Sequence, residues 1–206
     1  MGSRERRERD RSELRQRILD EAQHIIAQEG FAALTMRKLA DRIEYSPATI
    51  YMHFRSREEI ARELAEAGFG KLLAALHAAM AETTAQRKLD VLGQGYVRFG
   101  LENPETYRLI FMGDSAYNAA AFESNDPESA AAQSWDLLVA VSREVLEASA
   151  QTGKRSPEVL AQLLWASLHG AISLQLSCTE FRGAPAGMLA ELLGELVMKG
   201  LAPGKG

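Results

Sequence analysis

Apolar residues recur at helical spacing through the first part of the chain. The members of the first such pattern are Leu14, Ile18 and Ala22, four residues apart, followed by Ile25 and Ile26, which lie three and four residues after Ala22. They predict a helix over residues 11–29 that ends at Gly30. A second apolar face, over residues 36–43, follows Thr35, whose hydroxyl can cap a helix start. The pattern therefore predicts a long helix followed by a short one.

Another short helix is predicted to begin at Ser46-Pro47, because a capping side chain followed by proline marks a helix start. Ile50 and Phe54 would lie on its buried side. The positions that would point elsewhere are Thr49, Met52 and His53. Two short helices joined by a tight turn and braced by a preceding helix form a helix-turn-helix, whose second short helix can enter a DNA major groove.

The remainder of the chain is predicted to be one helix after another. Ser56 and Glu59 make a capping box for a long helix over residues 57–81. The later predicted helices span residues 89–102, 104–112, 127–151, 157–178 and 186–199, and residues 113–125 form a loop of ambiguous structure. The predicted fold is therefore all-α, with an N-terminal three-helix domain over residues 11–70 and a C-terminal helical domain over residues 71–206.

Charge is divided unevenly along the chain. Residues 1–62 hold 13 Lys and Arg against 11 Asp and Glu, a balance of +2, whereas residues 63–206 hold 11 against 17, a balance of −6. Seven arginines lie between Arg4 and Arg17. A basic N-terminal part joined to an acidic C-terminal part is typical of a DNA-binding module fused to a domain that does not contact DNA. A solvated helical face, on which Arg and Glu alternate, would show the same pattern.

Composition argues against several other classes of protein. The single cysteine, Cys178, cannot form an internal disulfide, and the four histidines lack the spacing of a zinc site, so neither a metal nor a cofactor is expected. No phosphate-binding or nucleophile motif is present, which makes an enzyme the weaker alternative. The uncharged run over residues 159–179 is interrupted by polar groups, and the first 17 residues are charged throughout. A cytoplasmic protein without a membrane span is predicted.

The segment LTMRKLADRIEYSPATIYMHFRSREEIARELAEAGF, residues 34–69, resembles the DNA-binding region of the TetR (tetracycline repressor) family. The family's Tyr-x-x-Phe hallmark, followed by a basic residue, corresponds here to Tyr51, Phe54 and Arg57. With the preceding helix, the resemblance covers about residues 11–70. One position departs from the pattern, because Glu44 stands in the turn where the family often has glycine, and a non-glycine residue at positive φ is uncommon.

The resemblance implies a role for each position of the motif. Arg37 and Arg57 would contact phosphates, as would Tyr51 and His53. The residues implied at the groove floor or edge are Ser46, Pro47, Ala48 and Thr49, of which Thr49 is the best candidate for base contacts, and Thr35 and Met52 complete the predicted interface. Three of these positions have a plainer alternative: a solvated side chain for Arg37, packing under the helix for Tyr51, and a hydrogen bond within its own helix for Thr49.

The C-terminal part shows a second resemblance, to a domain named WHG that occurs in one TetR branch. It rests on Trp165, His169 and Gly170, preceded by the run from Asn103 to Phe111. A small-molecule pocket is predicted from the aromatic and polar residues Tyr96, Phe99, Tyr107, Phe111, Met112, Trp165 and His169, although an aromatic stripe at helical spacing is often plain core. The effector's identity is not predicted.

Leucines on the last two predicted helices leave wide apolar surfaces, which predict a four-helix contact between two chains. The resulting homodimer would present two recognition helices to a palindromic, double-stranded operator. The function predicted is a transcriptional repressor that a small molecule releases from its operator. A ligand-independent DNA-binding protein or an activator of the same fold is the alternative.

Overall fold

The computed structural model describes residues 3–122, 126–149, 155–178, 180 and 183–201. In these ranges the chain forms ten α-helices and no strand, which confirms the all-α prediction. The helices are α1 (Ser3–Glu29), α2 (Met36–Ile43), α3 (Pro47–Tyr51), α4 (Arg57–His77), α5 (Ala85–Glu102), α6 (Pro104–Phe111), α7 (Ser115–Ala121), α8 (Ala130–Ala148), α9 (Pro157–Ser177) and α10 (Ala186–Leu201).

Local side chains explain where most of these helices begin. The residue before the helix accepts a hydrogen bond from the backbone N–H three positions later at Thr35, Ser46, Thr84, Asp114, Ser129 and Ser156. Such a bond satisfies one of the N–H groups that a helix start leaves unpaired. One half of the predicted capping box is present, because Glu59 N–H donates to Ser56 Oγ at 3.2 Å. The Glu59 carboxylate accepts from the backbone N–H of Arg55, one residue before the cap, at 2.6 Å.

The first compact unit is formed by residues 1–68 together with 107–125. Its core consists of apolar side chains from α1 to α4, α6 and α7. The fully or nearly fully buried members include Ile18, Ile25, Phe31, Leu34, Leu39, Ile50, Phe54, Ile60, Leu109 and Tyr117. Because α2 and α3 are short, this shared core, rather than helix length, holds them in place.

The second unit comprises residues 69–106 and 126–206. In its described part, α5 packs against α8, α9 and α10, and α9 packs against both α8 and α10. The buried residues of these helices include Leu92, Tyr96, Val141, Val145, Leu164, Ile172 and Ala190. Among the described residues, α9 alone is long and apolar enough to cross a membrane by length and composition. Its buried residues, Leu160 and Leu168 among them, pack within the unit.

The predicted boundary at residue 70 assigns residues 107–125 to the C-terminal domain, whereas the structure groups them with the first unit. Phe31 and Tyr117 stack edge to face with ring centroids 5.8 Å apart. The carboxylate of Asp114 accepts a hydrogen bond from Phe31 N–H at 3.2 Å, and the Tyr117 hydroxyl donates to the carbonyl of Ala61 at 3.4 Å. These contacts join segments more than 50 residues apart, so sequence periodicity could not reveal them.

Residues 113–125 were expected to form a loop, and that expectation is wrong for Ser115–Ala121, which is helix α7. Asp114 caps this helix by accepting from Tyr117 N–H at 2.8 Å, and this bond holds the pKa of the Asp114 carboxyl below its ordinary value. Four alanines between Ala116 and Ala121 favour the helical backbone. Residues 123–125 lie outside the described part of the chain.

Several predicted helix ends are also corrected. α1 begins at Ser3, eight residues before the predicted start, and α4 gives way after His77 to a 3₁₀ turn over Ala78–Ala81. α8 begins at Ala130 rather than at Pro127, because Ser129 is the capping residue and Asp126 Oδ1 accepts from Glu128 N–H in a preceding turn. α8 ends at Ala148, with Ser149 as its C-terminal cap, rather than near residue 151 as predicted.

Gly95 allows α5 to pack tightly against the end of α4. A Cβ built at Gly95 would lie 2.7 Å from the carbonyl oxygen of Ala75, whereas one at Gly93 would make ordinary contacts with the Ala190 Cβ at 3.7 Å and the Leu168 Cδ2 at 4.0 Å. We expect Gly95→Ala to lower the free energy of unfolding by about 1–3 kcal/mol, because the backbone of α4 must move. Gly93→Ala adds the same methyl group and is the matched control. Equal melting temperatures for the two variants would contradict this account of the packing.

Candidate nucleic-acid interface

The helix α3 is held on one side and open on the other. Ile50 is fully buried, and the hydrophobic core that contains it also contains Leu39, Ile43 and Phe54. The exposed positions are Ser46, Pro47, Ala48, Tyr51 and Met52, with Tyr51 56% and Met52 72% exposed. Thr49 and His53 are half-buried. The outer face of α3 therefore presents hydroxyl, aromatic and thioether groups rather than core side chains.

The turn between α2 and α3 is closed by a left-handed residue. Glu44 has φ 61° and ψ 41°. This is the left-handed conformation that glycine adopts easily and that other residues seldom adopt. Tyr45 N–H donates to the carbonyl of Ala40 at 3.0 Å and Glu44 N–H to that of Asp41 at 3.4 Å, the pair of bonds that defines a Schellman motif. The turn thus keeps its usual geometry, at a conformational cost of about 1–2 kcal/mol for a residue with a side chain.

Two hydroxyls at the helix starts are engaged within the protein. Thr35 Oγ1 accepts from Lys38 N–H at 3.1 Å, and Ser46 Oγ accepts from Thr49 N–H at 3.2 Å. The hydroxyls of Ser46 and Thr49 also hydrogen bond to each other, with 2.9 Å between oxygens. A hydroxyl has one donor and two acceptor sites, so this bond leaves Thr49 with capacity for a further partner.

An open groove of about 550 Å³ lies between α1 and α3. It is lined by Asp10, Arg11, Leu14, Tyr45, Thr49, Met52 and His53. Burial, together with the charges of Arg11 and Arg15, holds the pKa of His53 below its ordinary value. Its Nδ1 atom is buried and has no hydrogen-bond partner within the described residues. Sequence analysis missed the α1 side of this groove, although the arginines clustered before residue 18 gave a signal.

The cations of α2 differ in whether they already have partners. Lys38 pairs with Glu29, and this contact holds the pKa of the Glu29 carboxyl below its ordinary value. Arg42 lies 3.4 Å from Glu29 and 3.8 Å from Glu21. Arg37 is exposed and forms no ion pair or hydrogen bond within the described part of the chain. Of these three side chains, Arg37 is the one whose full charge is available to a phosphate.

The guanidinium of Arg57 is engaged inside the first unit. Its Nη1 donates to the carbonyls of Leu34 and Ala32 at 3.3 and 3.5 Å, and its Nε lies 2.9 Å from Glu58 Oε1. Its central carbon also lies 4.8 Å from the centre of the Phe31 ring. Arg57 thus ties the start of α4 to the segment that joins α1 and α2, a structural role that the resemblance did not indicate.

We expect Arg57→Ala to lower the free energy of unfolding by about 1–3 kcal/mol, because two charge-assisted hydrogen bonds and a cation–π contact are lost. Thermal unfolding followed by circular dichroism measures this change. Arg37→Ala is the matched control, since it removes the same group from a site without described partners. If Arg57→Ala melted at the temperature of the Arg37 variant, the contacts of Arg57 would contribute nothing to the stability of the fold.

The predicted small-molecule residues fall into two groups. Tyr107, Phe111 and Met112 belong to the first unit, where the rings of Tyr107 and Phe111 lie 4.9 Å apart, Tyr107 is fully buried and Met112 is exposed. The members in the second unit are Tyr96, Phe99, Trp165 and His169, of which Tyr96 and Phe99 are buried. The three fully or largely buried rings therefore serve as core in the structure.

A smaller aromatic cluster is nevertheless formed in the second unit. Trp165 Nε1–H donates to the hydroxyl of Tyr96 at 2.9 Å, and the rings of His169 and Trp135 each lie 6.4 Å from that of Trp165. The Nε2 atom of His169 is 3.2 Å from the Ser173 hydroxyl, and burial lowers the pKa of this histidine. Trp135 was missed by sequence analysis, because it comes from α8, a helix that carries no other predicted residue.

No group of three or more His, Cys, Asp or Glu side chains is placed to hold a metal ion among the described residues.

Two family models match the chain. One, described as bacterial regulatory proteins of the tetR family, matches residues 18–64. The other, described as the tetracyclin repressor-like C-terminal domain, matches residues 89–198. The first match spans α2, the turn and α3, which carry the geometry above.

Individual relatives agree with these matches. The chain is 29% identical over 95 residues to an uncharacterized HTH-type transcriptional regulator, YobS, of Bacillus subtilis, covering 46% of this chain and 50% of the relative. It is also 29% identical over 105 residues to the HTH-type transcriptional activator FasR of Mycolicibacterium smegmatis, covering 50% and 48%. The chain thus spans about half the length of the curated relatives it matches.

A solved structure extends the likeness to the whole fold. A protein of unknown function from Rhodococcus sp. RHA1 is 28% identical and superposes with a TM-score of 0.68, covering 92% of this chain and 96% of that protein.

Proposed function

Because the chain belongs to the tetR family of bacterial regulatory proteins, we propose that it is a cytoplasmic transcriptional repressor. It binds a palindromic operator as a homodimer and leaves the operator when a small molecule binds its C-terminal part. The observation that carries this proposal is the outward face of α3. Thr49, Met52 and His53 lie at the protein surface or half-buried, while Ile50 anchors the helix from beneath.

The chemistry of that face suits the major groove. Hydroxyls can donate to or accept from base edges, and apolar groups such as the Met52 side chain can contact thymine methyl groups. We assign base contacts to Thr49, with Ser46, Pro47 and Ala48 at the groove edge. We assign Tyr51 and His53 to the sugar-phosphate backbone of the DNA. Because its pKa is lowered, His53 acts there as a neutral hydrogen-bonding group.

Phosphate contact is assigned first to Arg37, because its charge has no partner within the described residues. Thr35 contributes through the N-terminus of α2, where unpaired backbone N–H groups favour phosphate. Arg57 acts indirectly, since its contacts with Leu34 and Ala32 fix the segment from which α2 begins.

The dimer contact is assigned to apolar stripes on α9 and α10. Exposed members on α9 recur at helical spacing and are Val159, Leu163, Ala166 and Leu174, and those on α10 are Met188, Leu189, Leu192 and Leu196. A soluble protein rarely leaves so much contiguous apolar surface in water. Two such helices from each of two chains form a four-helix contact.

The effector site is assigned to the cluster of Tyr96, Trp165 and His169, in which aromatic faces and a few polar atoms converge. Trp165 and His169 lie one helical turn apart on α9, the helix that also carries part of the proposed dimer contact. A ligand there acts by favouring one arrangement of the two chains over another, and its effect cannot exceed its difference in affinity for the two.

The proposal is tested through the salt dependence of DNA binding. We expect Arg37→Ala to weaken binding to every duplex tested and to flatten the slope of log affinity against log salt by about 1.8, because the homodimer loses two phosphate contacts at about 0.9 each. Fluorescence anisotropy between 50 and 200 mM salt measures both quantities.

Arg87→Ala is the control, because it removes the same charge from α5, where Arg87 is 3.7 Å from Glu82. An unchanged slope in the Arg37 variant would remove Arg37 from the interface. A wild-type protein that bound no duplex would overturn the proposed function.

A further inference from the structure

The first turns of α1 extend beyond the hydrophobic core that the rest of the helix helps to form. Every residue from Arg4 to Glu13 is exposed, whereas Ile18, Ala22 and Ile25 are fully buried. At about 1.5 Å per residue, this overhang is roughly 15 Å of helix. None of its side chains belongs to the core, so the helix-turn-helix does not need it for packing.

One face of this overhang continues the surface around α3. Arg11 and Leu14 line the groove whose other wall is Thr49, Met52 and His53. At 3.6 residues per turn, Arg7 lies only about 20° around the helix from Leu14, so it extends the same face away from the core. Arg11 is also near enough to His53 for its charge to disfavour protonation of the imidazole.

The arginines of the overhang differ in their ion pairs. Arg4 pairs with Glu8 at 3.1 Å, and Arg9 lies 3.8 Å from Glu13. Arg7 and Arg11 form no ion pair within the described residues. Two cations without an ion pair therefore stand on the face that adjoins α3, where the carboxylate of Asp10 also lines the groove. The carboxylates of Glu8 and Glu13 neutralise arginines beside them.

We propose that Arg7 and Arg11 form a second DNA-binding element, which grips the phosphate backbone of the duplex next to the bases that α3 contacts. The inference rests on the proposed function and adds a partner surface to it. DNA is the occupant because the two cations continue the surface of α3, and a rigid helix holds them along one line. These contacts position the protein and raise its affinity without adding sequence preference.

The test uses the full-length protein and the duplex that it selects from a random pool. Two lengths are compared: one that ends at the selected sequence and one with about one helical turn, roughly 10 base pairs, on each side. On the longer duplex, the Arg7→Ala/Arg11→Ala variant is expected to lose about 3.6 units of salt slope, because the homodimer loses four contacts at about 0.9 each, and about eightfold in affinity per contact at 0.1 M salt.

Three further variants make the result specific. Arg9→Ala removes the same charge from a position about 140° around the helix from Leu14 and should have much less effect. Arg7→Lys/Arg11→Lys should restore the slope, because a phosphate contact needs the charge. Ile18→Ala should lower the melting temperature, whereas the overhang variants should not, because their side chains lie outside the core.

Equal losses in the Arg7/Arg11 and Arg9 variants would show that only net charge matters and would overturn the inference. So would a loss that is the same on the short and long duplexes. In both cases the wild-type protein still binds its selected sequence, so the proposed function stands. If the wild type selects no duplex at all, the proposed function itself fails.

Discussion

Replacing Leu163 and Leu192 together with glutamate is expected to convert the protein to a monomer and to weaken binding to a palindromic duplex at least about 100-fold. The two side chains are 57% and 48% exposed and lie on the apolar stripes of α9 and α10. Four carboxylates buried in one symmetric contact would have no partners, and burying an unpaired charge is strongly unfavourable. A monomer then binds each half-site separately and loses the effective concentration that linkage provides.

Sedimentation velocity measures the mass of the variant, and anisotropy measures its affinity for whole and half operators. Met80→Glu is the control, because Met80 is also an exposed apolar residue but lies in the 3₁₀ turn after α4. Binding to an isolated half-site should be nearly unchanged in the double variant. A double variant that remained dimeric would place the contact between chains elsewhere.

Replacing Ile50 with alanine is expected to lower the free energy of unfolding by about 2–5 kcal/mol. Ile50 is fully buried and is the side chain through which α3 reaches the core that includes Leu39 and Phe54. Removing its outer carbons leaves a cavity under a helix of only five residues, which local hydrogen bonds alone cannot keep in place. At roughly 2–4 °C per kcal/mol for a chain of this length, the melting temperature falls by about 4–20 °C.

Met52→Ala separates anchoring from DNA contact. Met52 directly follows α3 as its C-terminal cap and is largely exposed, so truncating its side chain should change stability by less than about 0.5 kcal/mol. It should still weaken binding to the selected duplex. If the Ile50 and Met52 variants unfolded at the same temperature, α3 would not be held by Ile50 in the way described.

Local chemistry made the helix-turn-helix predictable from sequence. Thr35 and Ser46 cap α2 and α3 by bonds that span three residues, and Pro47 occupies the first helical position. The family's usual glycine pointed to the turn at Glu44, where the structure has a left-handed residue. Each of these features depends on neighbours within a few residues, which the sequence displays directly.

The contacts that the sequence did not reveal are those between distant segments. Asp114 accepts from Phe31 N–H across 83 positions of the chain, and this bond helps to place residues 107–125 in the first unit. The partners of Arg57 were also not predictable from sequence. Its position in the motif indicated a phosphate contact, whereas in the fold it donates to the carbonyls of Ala32 and Leu34. Periodicity identifies a buried face but not the element that covers it.

The aromatic residues illustrate a related difficulty. Tyr96 and Tyr107 were both predicted to line the small-molecule pocket. In the structure they belong to different units, and both are buried. An aromatic side chain can line a pocket or fill a core with the same helical spacing. What separated Trp165 from the others is its hydrogen bond to Tyr96 together with its partial exposure, both of which depend on the packing of α5 against α9.

Selection of bound duplexes from a random pool, carried out in parallel with the wild-type protein and Thr49→Ala, tests the role of α3 most directly. We expect a two-fold symmetric consensus sequence for the wild-type protein. We also expect that preference relaxes for Thr49→Ala at one symmetric pair of positions, because the lost hydroxyl is a base contact. A consensus without symmetry, or one that Thr49→Ala leaves unchanged at every position, would contradict the claim that α3 contacts the bases.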